Sequence, residues 1–140
     1  MAVAESCTGG WIAKLITDFP GSSDYFDRGF VTYSNQSKQD MLDVSATTLA
    51  THGAVSAEVV CEMVTGVLAH SSADIAVAVS GIAGPGGGSE QKPVGTVYIA
   101  WGDGLDAPTS QCYLFSGDRE AVRRQAVVAA IQGVTERISL

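Results

Sequence analysis

The 140 residues carry 15 Asp and Glu against 8 Lys and Arg, a net charge of −7, and 46% of them are apolar. This size and composition fit one folded unit, residues 1–140, with a proper core, and the acidic balance speaks against nonspecific nucleic-acid binding, which needs a basic face. No apolar run approaches the roughly 20 residues of a membrane span, and MAVAE lacks the basic start and apolar core of a signal peptide, so a cytoplasmic protein without a membrane partner is expected.

In chain order, AVAES predicts a short strand, and TGGWIAKLITD predicts a helix with Trp11, Ile12, Leu15 and Ile16 on one side, closed by FPGSS. RGFVTYS reads as a second strand, NQSKQDMLD as a short helix and SATTLATHG as another. SAEVVCEMVTGVLAHS is the clearest mid-chain helix, with Ser56 as N-cap and a buried stripe of Val59, Val60, Met63, Val67 and Leu68. DIAVAVSG and VGTVYIAW are the most apolar strands, and QCYLFS makes a fifth. GDREAVRRQAVVAAIQGVTERI closes the chain as a long helix, capped by Asp118, with Val127, Ile131, Val134 and Ile138 in register. Strands interleaved with helices predict a three-layer α/β/α domain on a mixed, mostly parallel sheet of about five strands. The direct strand-to-strand step between Ile75 and Trp101 is what makes it mixed, because parallel neighbours need a crossover.

Three separated cysteines, Cys7, Cys61 and Cys112, form no C-x-x-C, and His52 and His70 belong to no metal-binding pattern, so neither a disulfide framework nor a metal site is expected. The chemistry concentrates elsewhere. In AESCTGG a strand ends at Ser6 and a helix begins near Thr8, which exposes a hydroxyl where helix N–H groups favour a developing anion. The same pattern fits a plain helix cap by Ser6 or Thr8. Cys7 competes as nucleophile, although no histidine is placed to activate it. A serine nucleophile needs a base, and YSNQSK offers Lys38 with Tyr33, the latter at the end of the second strand. Bringing a lysine from its ordinary pKa near 10.4 to about 7 requires roughly 4–5 kcal/mol of desolvation or charge repulsion, and a solvated helix lysine fits the local pattern too. Ser89 to Lys92 matches S-x-x-K literally, but three preceding glycines and Pro93 break the helix that such a pair needs. The stretch SGIAGPGGG lets backbone approach a ligand closely without being a Walker loop. Arg119 and Arg123, at i and i+4, can fork a phosphate or carboxylate, or simply face solvent.

Taken together, AESCTGG, GFVTYSNQSK, HGAVS, SGIAGPGGGSEQKPVGTV and FSGDREAVRRQA, in this order and spacing, resemble the CinA C-terminal-domain family over essentially the whole chain. The resemblance implies an amidohydrolase that converts the carboxamide of nicotinamide mononucleotide (NMN) to nicotinic acid mononucleotide and ammonia, without a cofactor. It assigns catalysis to Ser6, Lys38 and Tyr33. Beside it we place oxyanion-stabilising N–H groups at Thr8, Gly9 and Gly10. Ser80, Gly81, Ile82, Ala83 and Gly84 are expected to line the nucleotide pocket, with Arg119 or Arg123 on its phosphate. The alternative is a catalytically silent nucleotide-binding or protein-interaction module related to competence proteins. A homo-oligomer, with a dimer favoured, is expected. Family members carry a helix ahead of the first strand, whereas this sequence opens on MAVAES, so an exposed apolar patch, a compensating subunit contact or reduced stability is anticipated.

Overall fold

In the computed structural model, which describes residues 1–138, β1 (Ala2–Glu5) leads through α1 (Trp11–Thr17) and a short 3-10 turn (Ser22–Asp24) to β2 (Arg28–Val31). Three helices follow, α2 (Asn35–Leu42), α3 (Ala46–His52) and α4 (Ala57–Ala69), then β3 (Ala76–Gly81), β4 (Thr96–Gly102), β5 (Thr109–Leu114) and α5 (Arg119–Ile138). The strands lie in the order β2-β1-β3-β4-β5. β1 pairs in parallel with both β2 and β3, while β4 is antiparallel to β3 and β5. Four of the five strands therefore run one way, and β4 is reversed because the loop from β3 carries no crossover helix. The carboxyl ends of β1, β2 and β3 come together on one edge, the usual place for an α/β ligand site.

The two sheet faces are built from opposite materials. Toward α2, α3 and α4 the sheet presents Ala2, Ala4, Ala76, Ala78 and Ala100, all fully buried, and α4 fills the space with Val59, Val60, Met63, Val64 and Val67. Toward α1 and α5 it presents Val3, Val77, Val79, Ile99 and Trp101, and α5 answers with small residues, Ala126, Ala130 and Gly133 among them. The strict alternation of AVAV in β3 produces this division, since successive strand side chains point to opposite faces. A Cβ on Gly133 would lie 2.3 Å from the Trp101 ring, so only glycine lets the helix ride over it. The indole Nε1 then donates to Ala130 O at 3.0 Å, and the Arg137 guanidinium covers the ring at 4.3 Å.

The stripe expected for the last helix is rotated. Val127 and Val134 are buried, but the contact line runs through Val122, Ala126, Ala130 and Gly133, whereas Ile138 is 63% exposed. Close approach to bulky strand residues selects small side chains there, and an apolar-periodicity reading favours the large ones. Ile131, Val134 and Ile138 instead border an apolar groove of about 490 Å³ with Leu15, Ile16 and Phe19, near Met1. Phe19 and Tyr25 stand 60% and 52% exposed beside it.

α1 starts later than expected. Gly10 occupies its N-cap with φ +105, a left-handed conformation outside the helix that favours glycine. α2, α3 and α4 open on Ser34, Ser45 and Ser56, whose side chains accept N–H bonds from Ser37, Thr47 with Thr48, and Val59 respectively. Asp118 Oδ1 accepts from Ala121 N at 2.9 Å, as expected for the cap of α5.

Candidate active site

Ser6 follows β1 directly, and its N–H donates to Val79 O of β3 at 3.0 Å, which extends the central strand pairing to the nucleophile candidate. Its side chain falls on the face of α2, in step with Ala2 and Ala4. Lys38, in the second turn of α2, is 1% exposed and reaches across this face. Its Nζ lies 3.1 Å from Ser6 Oγ and 2.9 Å from Thr32 O, donating to both. The reciprocal box between Ser34 and Ser37 holds the first turn of α2 in place. Burial pushes the Lys38 pKa below the ordinary lysine value; a smaller opposing effect comes from Cys7. A neutral amine here keeps one N–H on Thr32 O and turns its lone pair to the Ser6 hydroxyl, so the same geometry serves as acid or base.

The cavity over this pair holds about 300 Å³ and is lined by Ser6, Lys38, Tyr33, Asn35, Ser80, Gly81, Ile82, Ala83, Gly84 and Arg119. The structure thus brings the residues expected from four separate segments to one place. Tyr33 sits at the mouth, 62% exposed, with its hydroxyl accepting from Arg119 Nη2 at 3.3 Å. Arg119 Nη1 also donates to Gly84 O at 2.8 Å, tying the glycine-rich loop to α5.

Thr8, Gly9, Gly10 and Arg123 line an adjoining, wider cavity of about 860 Å³ with Trp11, Lys14 and Glu120, and Arg119 borders both spaces. Arg123 does not fork with Arg119. Its Nε and Nη2 donate to Cys7 O and Thr8 O at 3.0 and 3.2 Å. Four of the 8 basic side chains of this acidic chain, Lys14, Lys38, Arg119 and Arg123, gather around the two cavities, which favours an anionic ligand there.

Cys7 is buried, and desolvation raises its thiol to about 11, leaving it protonated at neutral pH. Ser89 Oγ accepts from Lys92 N within a turn, and Lys92 Nζ donates to His52 O, so the literal S-x-x-K forms no pair. His52 and His70 lie outside these cavities beside Glu58 and Asp43.

Glu5 escapes a sequence reading of this site. Its carboxylate, 1% exposed, accepts from Ile12 N at 2.8 Å and Ala13 N at 3.1 Å and so caps α1 from the end of β1. The expected cap by Ser6 or Thr8 does not form: Gly10 has no side-chain cap, and Thr8 Oγ1 is buried without a partner among the described residues, as is Thr32 Oγ1. The available signal was a charge in a strand otherwise fully buried, since such a carboxylate needs partners. Both unpartnered hydroxyls stand on the turns that carry the serine and lysine, where function commonly overrides hydrogen-bond satisfaction.

A serine on a strand-to-helix turn, in contact with a buried lysine from the next strand-to-helix step, makes this an α/β domain with a serine–lysine pair at the carboxyl edge of its sheet. Residues 1–138 match the CinA C-terminal domain, and the chain belongs to that family. It is 58% identical over 132 residues to the Escherichia coli K12 protein named nicotinamide-nucleotide amidohydrolase PncC, covering 94% of this chain and 80% of that protein. Its Pseudomonas putida namesake is 56% identical over 136 residues, covering 97% and 84%. A CinA-like protein of Geobacter sulfurreducens is 49% identical over 138 residues, 99% of this chain but 33% of its own length. Among solved structures, the Agrobacterium tumefaciens competence/damage inducible protein CihA superposes with a TM-score of 0.94 at 45% identity, covering 96% of this chain and 82% of that one.

Proposed function

We propose that this chain is a cytoplasmic amidohydrolase that releases ammonia from the carboxamide of NMN, working as one domain over residues 1–140. The observation that carries the reading is the 3.1 Å contact between Ser6 Oγ and a lysine amine held in a buried site. Relatives above half identity bear the name nicotinamide-nucleotide amidohydrolase, and the basic rim of the cavities suits a phosphorylated substrate.

In this mechanism Ser6 Oγ attacks the carboxamide carbon while neutral Lys38 takes the hydroxyl proton. The tetrahedral intermediate collapses with cleavage of the C–N bond, and that proton leaves with the amine as ammonia. Tyr33, its hydroxyl polarised by Arg119, assists the return of the proton from the cavity mouth. Water, deprotonated by Lys38, then attacks the acyl-serine, and nicotinic acid mononucleotide departs as its carboxylate, which restores Ser6. Ser80 to Gly84 line the substrate, and the turn after Ser6 supplies N–H donors for the oxyanion from Thr8 and Gly10, the Gly9 N–H being held by Ser6 O. Arg119, which borders both cavities, contacts the phosphate. The apolar groove beside Phe19 is covered in a homodimer.

The test is ammonia release from NMN by this chain, followed against Ser6→Ala. Turnover by the parent and its loss in the variant are expected. Binding of NMN without ammonia release would instead leave a silent binding module.

A further inference from the structure

Building on the amidohydrolase reading, we propose that Arg123 is a positioning residue of the reaction, which holds the turn after Ser6 so that the Thr8 N–H is presented to the oxyanion. The side chain comes from α5, far along the chain, and spends Nε on Cys7 O and Nη2 on Thr8 O, two successive carbonyls of one turn. Its guanidinium also lies 5.5 Å from the centre of the Trp11 ring, at the first residue of α1. These peptides are trans, so each N–H points opposite to the carbonyl of its own peptide plane. With Cys7 O held on Arg123, the Thr8 N–H is directed away from α5.

Four of the five donors that follow Thr8 are already engaged, Gly10 N alone being uncommitted among the described residues. Gly9 N donates to Ser6 O at 3.1 Å, Trp11 N to Thr8 O at 3.1 Å, and Ile12 N and Ala13 N to Glu5. The Thr8 N–H donates to no acceptor among the described residues, two positions from the nucleophile. A single guanidinium gripping both carbonyls prevents the two peptide planes from rotating and withdrawing that donor. Arg119 likewise spends two nitrogens, on Gly84 O and the Tyr33 hydroxyl, but it borders both cavities, whereas Arg123 lines only the wider one.

Arg123→Ala therefore lowers kcat for NMN roughly 10–100-fold, the scale of a misplaced oxyanion donor, and changes KM by less than about threefold. Added guanidinium restores part of kcat without altering KM. Labelling of Ser6 by a fluorophosphonate slows by a similar factor, and this readout needs an activated serine and its oxyanion donors but not NMN. If Arg123→Ala does not fold, as judged by circular dichroism and thermal midpoint, Arg123→Lys carries the test. It keeps the aliphatic cover and the positive charge, but its single nitrogen cannot reproduce the planar fork in which Nε and Nη2 each hold one carbonyl, and the same loss confined to kcat is expected. A raised KM with kcat retained would make Arg123 a substrate-binding residue and overturn the proposal, as would unchanged kinetics and labelling. A parent chain that is labelled at Ser6 yet releases no ammonia overturns the functional reading alone.

Discussion

Glu5 and Ser6, neighbours at the end of β1, are turned to opposite faces of the sheet: the carboxylate takes N–H groups of α1, and the hydroxyl meets Lys38 of α2. One peptide step thus joins the element that holds the turn to the group that faces the cavity.

Removing the Glu5 side chain leaves two N–H groups of the first turn of α1 without an acceptor in a buried position. Glu5→Ala is expected to cost about 2–3 kcal/mol, a drop of several degrees in thermal midpoint, and to reduce turnover through the adjacent serine. Glu5→Gln keeps one acceptor oxygen and loses less. Calorimetry with parallel ammonia assays checks both.

Lys38→Met should lower NMN turnover by about 10³-fold while leaving the fold intact. The pH behaviour follows from the lowered pKa of this lysine. The base must be neutral, so kcat/KM in the parent rises with pH as Lys38 deprotonates, earlier than an ordinary lysine near 10.4 would. The unfolded chain binds more protons than the folded one between the lowered pKa and that ordinary value. Stability therefore increases with pH across this window and declines as pH falls through it. Lys38→Met flattens this part of the profile, which denaturant titrations at several pH values measure.

Cys7→Ala is expected to keep turnover within about threefold of the parent, because a thiol raised to about 11 supplies almost no thiolate at pH 7. Brief exposure to iodoacetamide leaves activity unchanged for the same reason. Loss of turnover in both experiments would transfer the nucleophile role from Ser6.

Gly133→Ala drives a methyl into the Trp101 ring, which already donates to the helix above it. A destabilisation of about 1–3 kcal/mol is expected, seen as an earlier thermal midpoint with KM for NMN unchanged.

The strands, the reversed β4 and the Ser56 cap of α4 were legible because each is written in local pattern: alternation, a missing crossover, a hydroxyl before an apolar helix. Ser6 and Lys38 were legible as candidates only, since their meeting depends on β1 and β2 being adjacent and parallel, a pairing that no local window contains. Glu5 was missed because its partners lie on another element and its role is filled by a side chain from a strand. The small-residue contact line of α5 was missed for a related reason. Its cause is the bulk of Val77, Val79 and Trp101, which becomes relevant only after the helix has been laid on them.

The division of volume between the two faces gives the core a polarity that composition does not record. Val77 and Ala78 sit side by side in β3, one toward an inset helix of small residues and the other toward a helix that brings its own bulk. Exchanging them would conserve every atom of the sequence inventory and the hydrophobicity of the strand, yet would open a void on one face while wedging the other apart. The pattern therefore encodes which side of the sheet each helix must take, so a chain wound with α4 and α5 interchanged would be rejected by the core itself.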